Sequence, residues 1–288
     1  MDELKSRGNR IFQIVLGVFF IIVSVVSLIP ILRVLSMSIS SKNAILSGKV
    51  IIFPVGFTTD AYNMVLHNSN FVGSFLYSII LTVGTAAVNI IMTILAAYPL
   101  SKKHLKGGKF VMTLFVLTMY FSPGIIPNYL NVKDFGLLDT PWALIIPGAL
   151  SAYNMIIMRN AFLGIDNSLY EAADIDGCSK FRTLMVIAIP LCIPTIATLS
   201  LFYAIGRWNG VTDVLYYIDS SKFYTVQMQL KQMIDSIKIA REDRLTSDIV
   251  AENVKSASIV ISMLPMLVAY PFIQRFFTKG IMLGAVKG

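Results

Sequence analysis

Charged side chains are scarce in this sequence: Asp, Glu, Lys and Arg make up 14% of its 288 residues, against roughly 25% in soluble globular domains. Histidine and cysteine are scarcer still, with two of each. His67 and His104 lie on opposite sides of a long apolar run, which excludes a His-based metal site and a His-activated nucleophile. Cys178 and Cys192 are too few for a disulfide framework and read as free thiols. A phosphate-binding loop is missing, because Gly107-Gly108-Lys109 has neither the preceding strand nor the required glycine spacing. Acidic residues avoid the long apolar runs, which argues against a proton-coupled transporter with an intramembrane carboxylate. Any energy-requiring work is therefore powered from outside this chain.

Apolar residues are abundant, at 56% of the chain, and they are gathered into runs. Those runs cover about 11–35, 71–100, 110–129, 141–162, 184–205 and 257–277. Each approaches the length needed to cross a hydrocarbon core of about 30 Å, so the expected fold is an all-α integral membrane protein with about six transmembrane helices. The first run is too long for a signal-peptide core of about 7–15 residues and is expected to be retained. Pro123 and Pro127 interrupt the third run, and Pro190 and Pro194 the fifth. Gly84, Ala86, Ala87, Ala96 and Ala97 in the second run allow close helix packing in lipid.

The net charge of +8 sits in short loops beside apolar runs rather than in one basic stripe, which excludes nucleic acid as a partner. Lys5, Arg7, Arg10, Lys102, Lys103, Lys106, Lys109, Arg159, Lys180, Arg182, Arg275, Lys279 and Lys287 fall on one side of the six-span arrangement; Lys42, Lys49 and Lys133 fall on the other, with Arg33 near the end of the first run. The seven basic residues of 207–255 are spread over nearly fifty positions and matched by seven acidic ones, so the short loops decide. The richer side is cytoplasmic by the positive-inside rule. The expected organisation is a cytoplasmic segment 1–10 and a transmembrane domain 11–278, followed by a cytoplasmic tail 279–288. Within the transmembrane domain, 164–183 is a cytoplasmic loop and 207–255 a long extracytoplasmic one.

The cytoplasmic loop is the most informative stretch. Ser168 is a candidate N-cap with Glu171 three residues on as its capping-box partner. Ala172 and Ala173 favour helix and leave room for another backbone, and Gly177 is a natural left-handed stop. Leu169, Ala172, Ala173 and Asp176 share one helical face. A small docking knob between membrane spans suggests contact with a soluble partner.

Glu171-Ala172-Ala173, two residues, Asp176-Gly177, nine residues, Ile187, two residues and Pro190 together resemble the EAA signature of importer-type ATP-binding-cassette permeases. Cys178, where Ala is usual, and Ile189, where Leu is usual, are mild departures. The chain also resembles the carbohydrate-uptake branch, close to the smaller of the two maltose-transporter permeases. Gly136-Leu137-Leu138-Asp139-Thr140, Trp208-Asn209 and the ending Gly284-Ala285-Val286-Lys287-Gly288 carry that likeness.

The resemblance implies a type I (MetI-like) importer permease fold in a bacterial cell membrane. It implies a second homologous permease as heterodimer partner, a dimeric cytoplasmic ATPase, an extracytoplasmic solute-binding protein and an oligosaccharide substrate. This chain would hold no cofactor, with ATP and Mg bound by the ATPase. Glu171, Ala172, Ala173, Asp176 and Gly177 would form the ATPase-coupling helix, and Ala285, Val286, Lys287 and Gly288 a tail against the ATPase. Trp208 and Asn209 would open a loop facing the binding protein. For Glu171 the rival role is the capping box alone; for the tail it is a frayed end. For the aromatic residues of the 207–255 loop it is an interfacial belt. Asn89, Tyr120, Tyr153 and Asn154 are polar or aromatic at mid-span depth and suit a sugar path, although an asparagine there also serves to bridge helices. Two other readings compete with the oligosaccharide importer: a permease of the same class for a polyamine or phosphate ester, and a membrane sensor or scaffold that transports nothing.

Overall fold

Proline, glycine and small polar residues decide where the helices of this protein run and where they break. The computed structural model describes residues 7–102, 104–242 and 252–285. They fold almost wholly as helix and fall into two compact units, Met1–Val72 with Leu230–Met263, and Gly73–Gln229 with Leu264–Gly288.

In the first unit, α1 (Arg7–Ser38) is a single helix of 32 residues, about 48 Å long and ample for a bilayer. Its side chains are exposed along most of its length, as expected of a lipid-facing span. Its end is tied down by serines. Ser38 Oγ pairs with the Tyr62 hydroxyl at 2.8 Å, Ser40 Oγ accepts the Val55 N–H at 3.0 Å, and Ser36 donates to the Ile52 carbonyl. The short helices α2 (Lys42–Leu46) and α3 (Asp60–His67) complete this region, α3 burying Ala61 and Val65.

The second unit begins inside α4 (Ser69–Leu100). Ser74, Ser78, Thr82, Thr85, Asn89, Thr93 and Ala97 recur every three or four residues and are all buried, so this helix turns a small, polar stripe inward. Ser78 and Thr93 return their hydroxyls to the carbonyls four residues back, at 2.7 Å each, which satisfies them without water.

The third expected span is broken. α5 (Gly108–Tyr120) has 13 residues, about 20 Å, and ends before Pro123 and Gly124; α6 (Ile125–Asp134) restarts beyond. The fourth is broken as well. A 3-10 turn at Pro141–Leu144 is followed by irregular chain through Pro147 and Gly148, and only Ala152–Leu163 (α7) is helical. After α8 (Asn167–Ile175) comes α9 (Lys180–Thr183), then a π turn over Leu184–Ala188 and α10 (Ile189–Leu191). α11 (Ile193–Asn209) departs from that segment at 83°, with Pro190 and Pro194 on either side of the bend.

The expected loop 207–255 is largely helical where it is described: α12 (Thr212–Tyr217), a 3-10 turn at Ser221–Phe223 and α13 (Val226–Glu242). α14 (Glu252–Ala285) closes the chain, with Pro265 and Pro271 inside it. Among the described residues α1, α4 and α14 are each long and apolar enough to cross a bilayer, and the bent 180–209 pair adds a fourth crossing if taken as one span.

The breaks have a physical consequence. Irregular backbone at membrane depth persists only where protein or a wet cavity satisfies it, and here it borders a cavity. Two apolar clusters hold the second unit together. One joins Ala97, Tyr98, Met155, Met158, Phe162, Leu184 and Leu199; the other joins Leu81, Val132, Leu144, Val214, Ile218 and Met228.

Candidate functional site

The EAA loop folds as a capped and terminated helix that starts two residues before the expected position. Asp166, not Ser168, is the N-cap of α8: its Oδ1 accepts the Ser168 N–H at 2.9 Å. Ser168 therefore lies inside the first turn, and Glu171 is too far along to close a capping box. The carboxylate of Glu171 has no hydrogen bond or ion pair among the described residues, so the capping account of this residue falls away. At the other end Gly177 adopts φ 70°, the Cys178 N–H reaches the Ala173 carbonyl at 2.9 Å and the Gly177 N–H reaches Asp174 at 3.2 Å, a Schellman stop. Ser179 caps α9 through the Arg182 N–H.

The expected four-residue face divides. Ala173 is 3% exposed and turns inward, while Leu169, Ala172 and Asp176 stay outside with Glu171 and Ile175, the last 85% exposed. The buried side rests on the spans through Tyr170. The Lys102 ammonium lies 3.0 Å from the Tyr170 ring centre and 4.5 Å from that of Tyr98. Tyr98 meets Phe162 of α7 edge-on at 5.5 Å. A recess of about 520 Å³ beside this stack is lined by Lys102, Tyr170, Glu171, Asp174 and Lys180 among others. Desolvation and the neighbouring Lys180 pull the Lys102 pKa down to about 8, opposed by Asp174. Burial, with smaller contributions from Tyr98 and Cys192, pushes the Tyr170 phenol up to about 12. The Lys180–Asp174 pair at 2.5 Å is solvent-exposed and contributes at most about 1 kcal/mol.

A second site lies within the same unit, where the broken spans meet α4 and α11. It is a cavity of about 740 Å³. Asn89 and Asn154 both line it. Tyr120 and Tyr153 do not: they are 79% and 57% exposed, away from the lining. A relay of hydrogen bonds braces the wall. The Ser151 N–H donates to the Tyr203 hydroxyl (3.2 Å), which pairs with Thr93 Oγ1 (2.7 Å), which donates to the Asn89 carbonyl (2.7 Å). Asn89 Nδ2 donates across to the Gly148 carbonyl at 3.1 Å, while its Oδ1 has no partner among the described residues.

Sequence reasoning missed the charged pair at this cavity. Arg207, 6% exposed, grips the Asp213 carboxylate with both terminal nitrogens and donates to the Leu144 and Gly210 carbonyls at 3.2 Å each. An arginine in the last turn of an apolar helix, followed six residues later by an aspartate, was the available signal. Trp208 is 3% exposed and packs edge-on against Phe75 at 5.9 Å, so its indole is a core group of this unit and not an outward-facing one. Asn209 is exposed, lines the cavity and donates to the Ile205 carbonyl at 3.0 Å.

The Gly136–Thr140 stretch also acquires a role. Asp139 holds a left-handed φ of 56°, and its carboxylate accepts the N–H groups of Asp219 (3.1 Å) and Ser220 (2.8 Å) and the Ser220 hydroxyl. Its own N–H donates to the Tyr217 carbonyl at 2.8 Å. These bonds, the Ser220 hydroxyl first, hold the carboxyl below the usual range. In the tail, Ala285 ends α14, and Val286, Lys287 and Gly288 lie outside the described residues.

The chain as a whole is similar to proteins of known class. Protein LplC of Bacillus subtilis (strain 168) is 39% identical over 99% of this chain and 97% of its own. The polygalacturonan/rhamnogalacturonan transport system permease protein YtcP of the same organism is 38% identical over 97% and 99%. In three dimensions the chain is similar to one from a crystal structure of a bacterial ABC transporter involved in the import of the acidic polysaccharide alginate, with a TM-score of 0.87, 36% identity and coverage of 94% and 98%. Residues 89–283, which hold the EAA helix and all of the cavity lining but Thr85, match the family described as the binding-protein-dependent transport system inner membrane component, and the chain belongs to that family.

Proposed function

We propose that this chain is the membrane-spanning permease of an ATP-driven importer for oligosaccharides, handed their substrate by an extracytoplasmic solute-binding protein. The observation that carries the proposal is α8. It is a short, rigidly capped helix presenting an unengaged Glu171 beside exposed Leu169, Ala172 and Ile175, in a chain with no phosphate loop of its own. An exposed carboxylate with an apolar surround suits an arginine in a cleft of a cytoplasmic ATPase. ATP and Mg belong to that ATPase, which is a dimer serving this chain and a second homologous permease.

The positive-inside count supports a cytoplasmic α8 and cytoplasmic termini. Movement of α8 reaches the spans through Tyr170, which bears on Lys102 and Tyr98 of the α4 end and, through Tyr98, on Phe162 of α7. Both helices continue to the cavity, at Asn89 and Asn154. The cavity is the part of the sugar path that this chain contributes, and its volume lies within the range of small-molecule sites. Residues 285–288 extend this assembly as a contact with the ATPase. The Asp139-braced segment around Tyr217 to Tyr224 faces the binding protein. The sugar class rests on the relatives, whose names include polygalacturonan, rhamnogalacturonan and alginate.

The test is uptake of labelled uronate and neutral oligosaccharides in cells lacking this chain, with and without its restoration. Restored, ATP-dependent uptake is the expected result. Growth on these sugars and uptake unchanged by deletion, or uptake restored only for a polyamine or phosphate ester, contradicts the reading.

A further inference from the structure

The basic loop after α4 folds beside a recess distinct from both sites above. It has about 660 Å³ of space, bounded by the end of α4, the start of α5 and the middle of α7. Its apolar wall is Leu100, Met112 and Val116; its polar members include Lys109 and Arg159, and among the described residues no carboxylate lines it. The Arg159 guanidinium is fixed in place, because its Nε donates to the Leu100 carbonyl at 2.7 Å. That leaves its remaining nitrogens for an anion, since Arg159 is in no ion pair among the described residues. Lys102 also borders the recess, but its ammonium is turned to the Tyr170 ring and contributes only its longer-range field.

Two further features point the same way. α5 starts here without a side-chain cap, after Gly107 at φ 78°. The Gly108 N–H goes to the Leu105 carbonyl at 3.1 Å, and the next N–H groups of the first turn have no side-chain cap, an end that favours an anion. Beyond them α5 exposes Phe110, Leu114 and Leu117 on its surface, the apolar exterior expected against lipid tails. Cationic pockets between membrane helices with apolar walls below them suit the headgroups of anionic lipids.

We infer that this recess binds the phosphate headgroup of an anionic phospholipid, with Arg159 and Lys109 on the phosphate and the acyl chains along α5. The helix terminus supplies neutral N–H donors, the two side chains supply the charge, and Leu100, Met112 and Val116 exclude water from one side. A free phosphate carries at least as much negative charge as the phosphodiester but has nothing to place against that wall.

The experiment is lipid retention by the detergent-purified full-length chain, read by native mass spectrometry with phosphatidylglycerol, phosphatidylcholine or inorganic phosphate added. Phosphatidylglycerol is expected to be retained in preference to phosphatidylcholine. Lys109→Gln should weaken that retention about fivefold, and the double change with Arg159→Gln about 25-fold, at about 1 kcal/mol for each cation near an anionic headgroup. Lys106→Gln, on the same loop but outside the lining, should leave it unchanged. Where Arg159→Gln fails to fold, Lys109→Glu reads the same effect from an exposed position. Equal retention of the two lipids, equal losses at Lys106 and Lys109, or displacement of the lipid by millimolar phosphate each overturns the inference.

Discussion

Removing the Asp213 carboxylate would strand a charge inside the protein. Arg207 is 6% exposed and directs both terminal nitrogens to Asp213. At a separation near 4 Å and an effective dielectric of about 20, the pair attracts by about 4 kcal/mol. Taking one partner from a buried pair typically costs about 3–5 kcal/mol, because the other keeps its desolvation penalty. Two compensations act here: the Leu144 and Gly210 carbonyls stay within 3.2 Å of the guanidinium, and the Asp213 side chain is 32% exposed, so water can enter. We therefore predict a loss of about 3 kcal/mol for Asp213→Ala, near the lower bound. At about 2 °C per kcal/mol for a chain of this size, that is a fall of about 6 °C in the melting temperature of the purified protein. Replacing both residues with apolar ones, Arg207→Met with Asp213→Leu, should bring stability back to within about 1 kcal/mol of the parent. An Asp213→Ala variant melting within about 1 °C of the parent, with the cooperativity of the transition unchanged, would refute the reasoning. The double variant has a second use. If it is stable and yet fails to import sugar, the pair serves the path as well as the fold.

Other expectations concern single positions. Lys102 titrates near 8 instead of 10.5, so the unfolded chain holds its proton more tightly than the folded one, and this group's contribution to stability should rise as pH climbs through that window. The melting temperature of the parent minus that of Lys102→Met should therefore increase between about pH 7.5 and about pH 9.5; a decrease would mean that stacking on Tyr98 and Tyr170 outweighs desolvation. Asp139→Ala should lose three bonds to Asp219 and Ser220 and take on an unfavourable left-handed φ, raising amide exchange across 217–224; Asp139→Asn, which keeps an acceptor, should fall between. Asn89→Ala and Asn154→Ala should weaken uptake more than Tyr120→Ala and Tyr153→Ala do, because only the asparagines reach the cavity. Equal effects at all four positions would remove the cavity from the sugar path.

The same residues show how much of the structure was legible in the sequence. The EAA helix was readable because its instructions are local: two alanines, a glycine that can take φ 70°, and a serine capping the next helix. Its start was misread because Asp166 and Ser168 are both good caps by composition. Asp166 takes the role with a non-helical backbone (φ −58°, ψ 131°) and its carboxylate on the Ser168 N–H. That shift of register removed the rival account of Glu171. Pro123 and Pro127 marked the interruption of the 110–129 run in the sequence, but average hydropathy, which sums apolar side chains, does not separate a kinked span from a broken one and does not weigh the break at Pro147–Gly148 in 141–162. The cavity formed at those breaks is lined from segments more than a hundred residues apart, so no window along the chain contains it. Depth in a span predicted Asn89 and Asn154 as readily as Tyr120 and Tyr153. Depth says nothing of which way round the helix a residue points, and only the asparagines point inward.

Glu171 is where coupling to the ATPase is tested most directly. In proteoliposomes carrying the complete transporter, Glu171→Ala should leave insertion and melting of this chain unchanged, since the carboxylate has no partner within it among the described residues. Truncating one side of a charged contact at an interface costs about 2–5 kcal/mol, so ATPase co-purification or ATP-driven sugar uptake should fall by about thirtyfold or more. Unchanged co-purification together with unchanged uptake would contradict the assignment of α8 as the coupling helix.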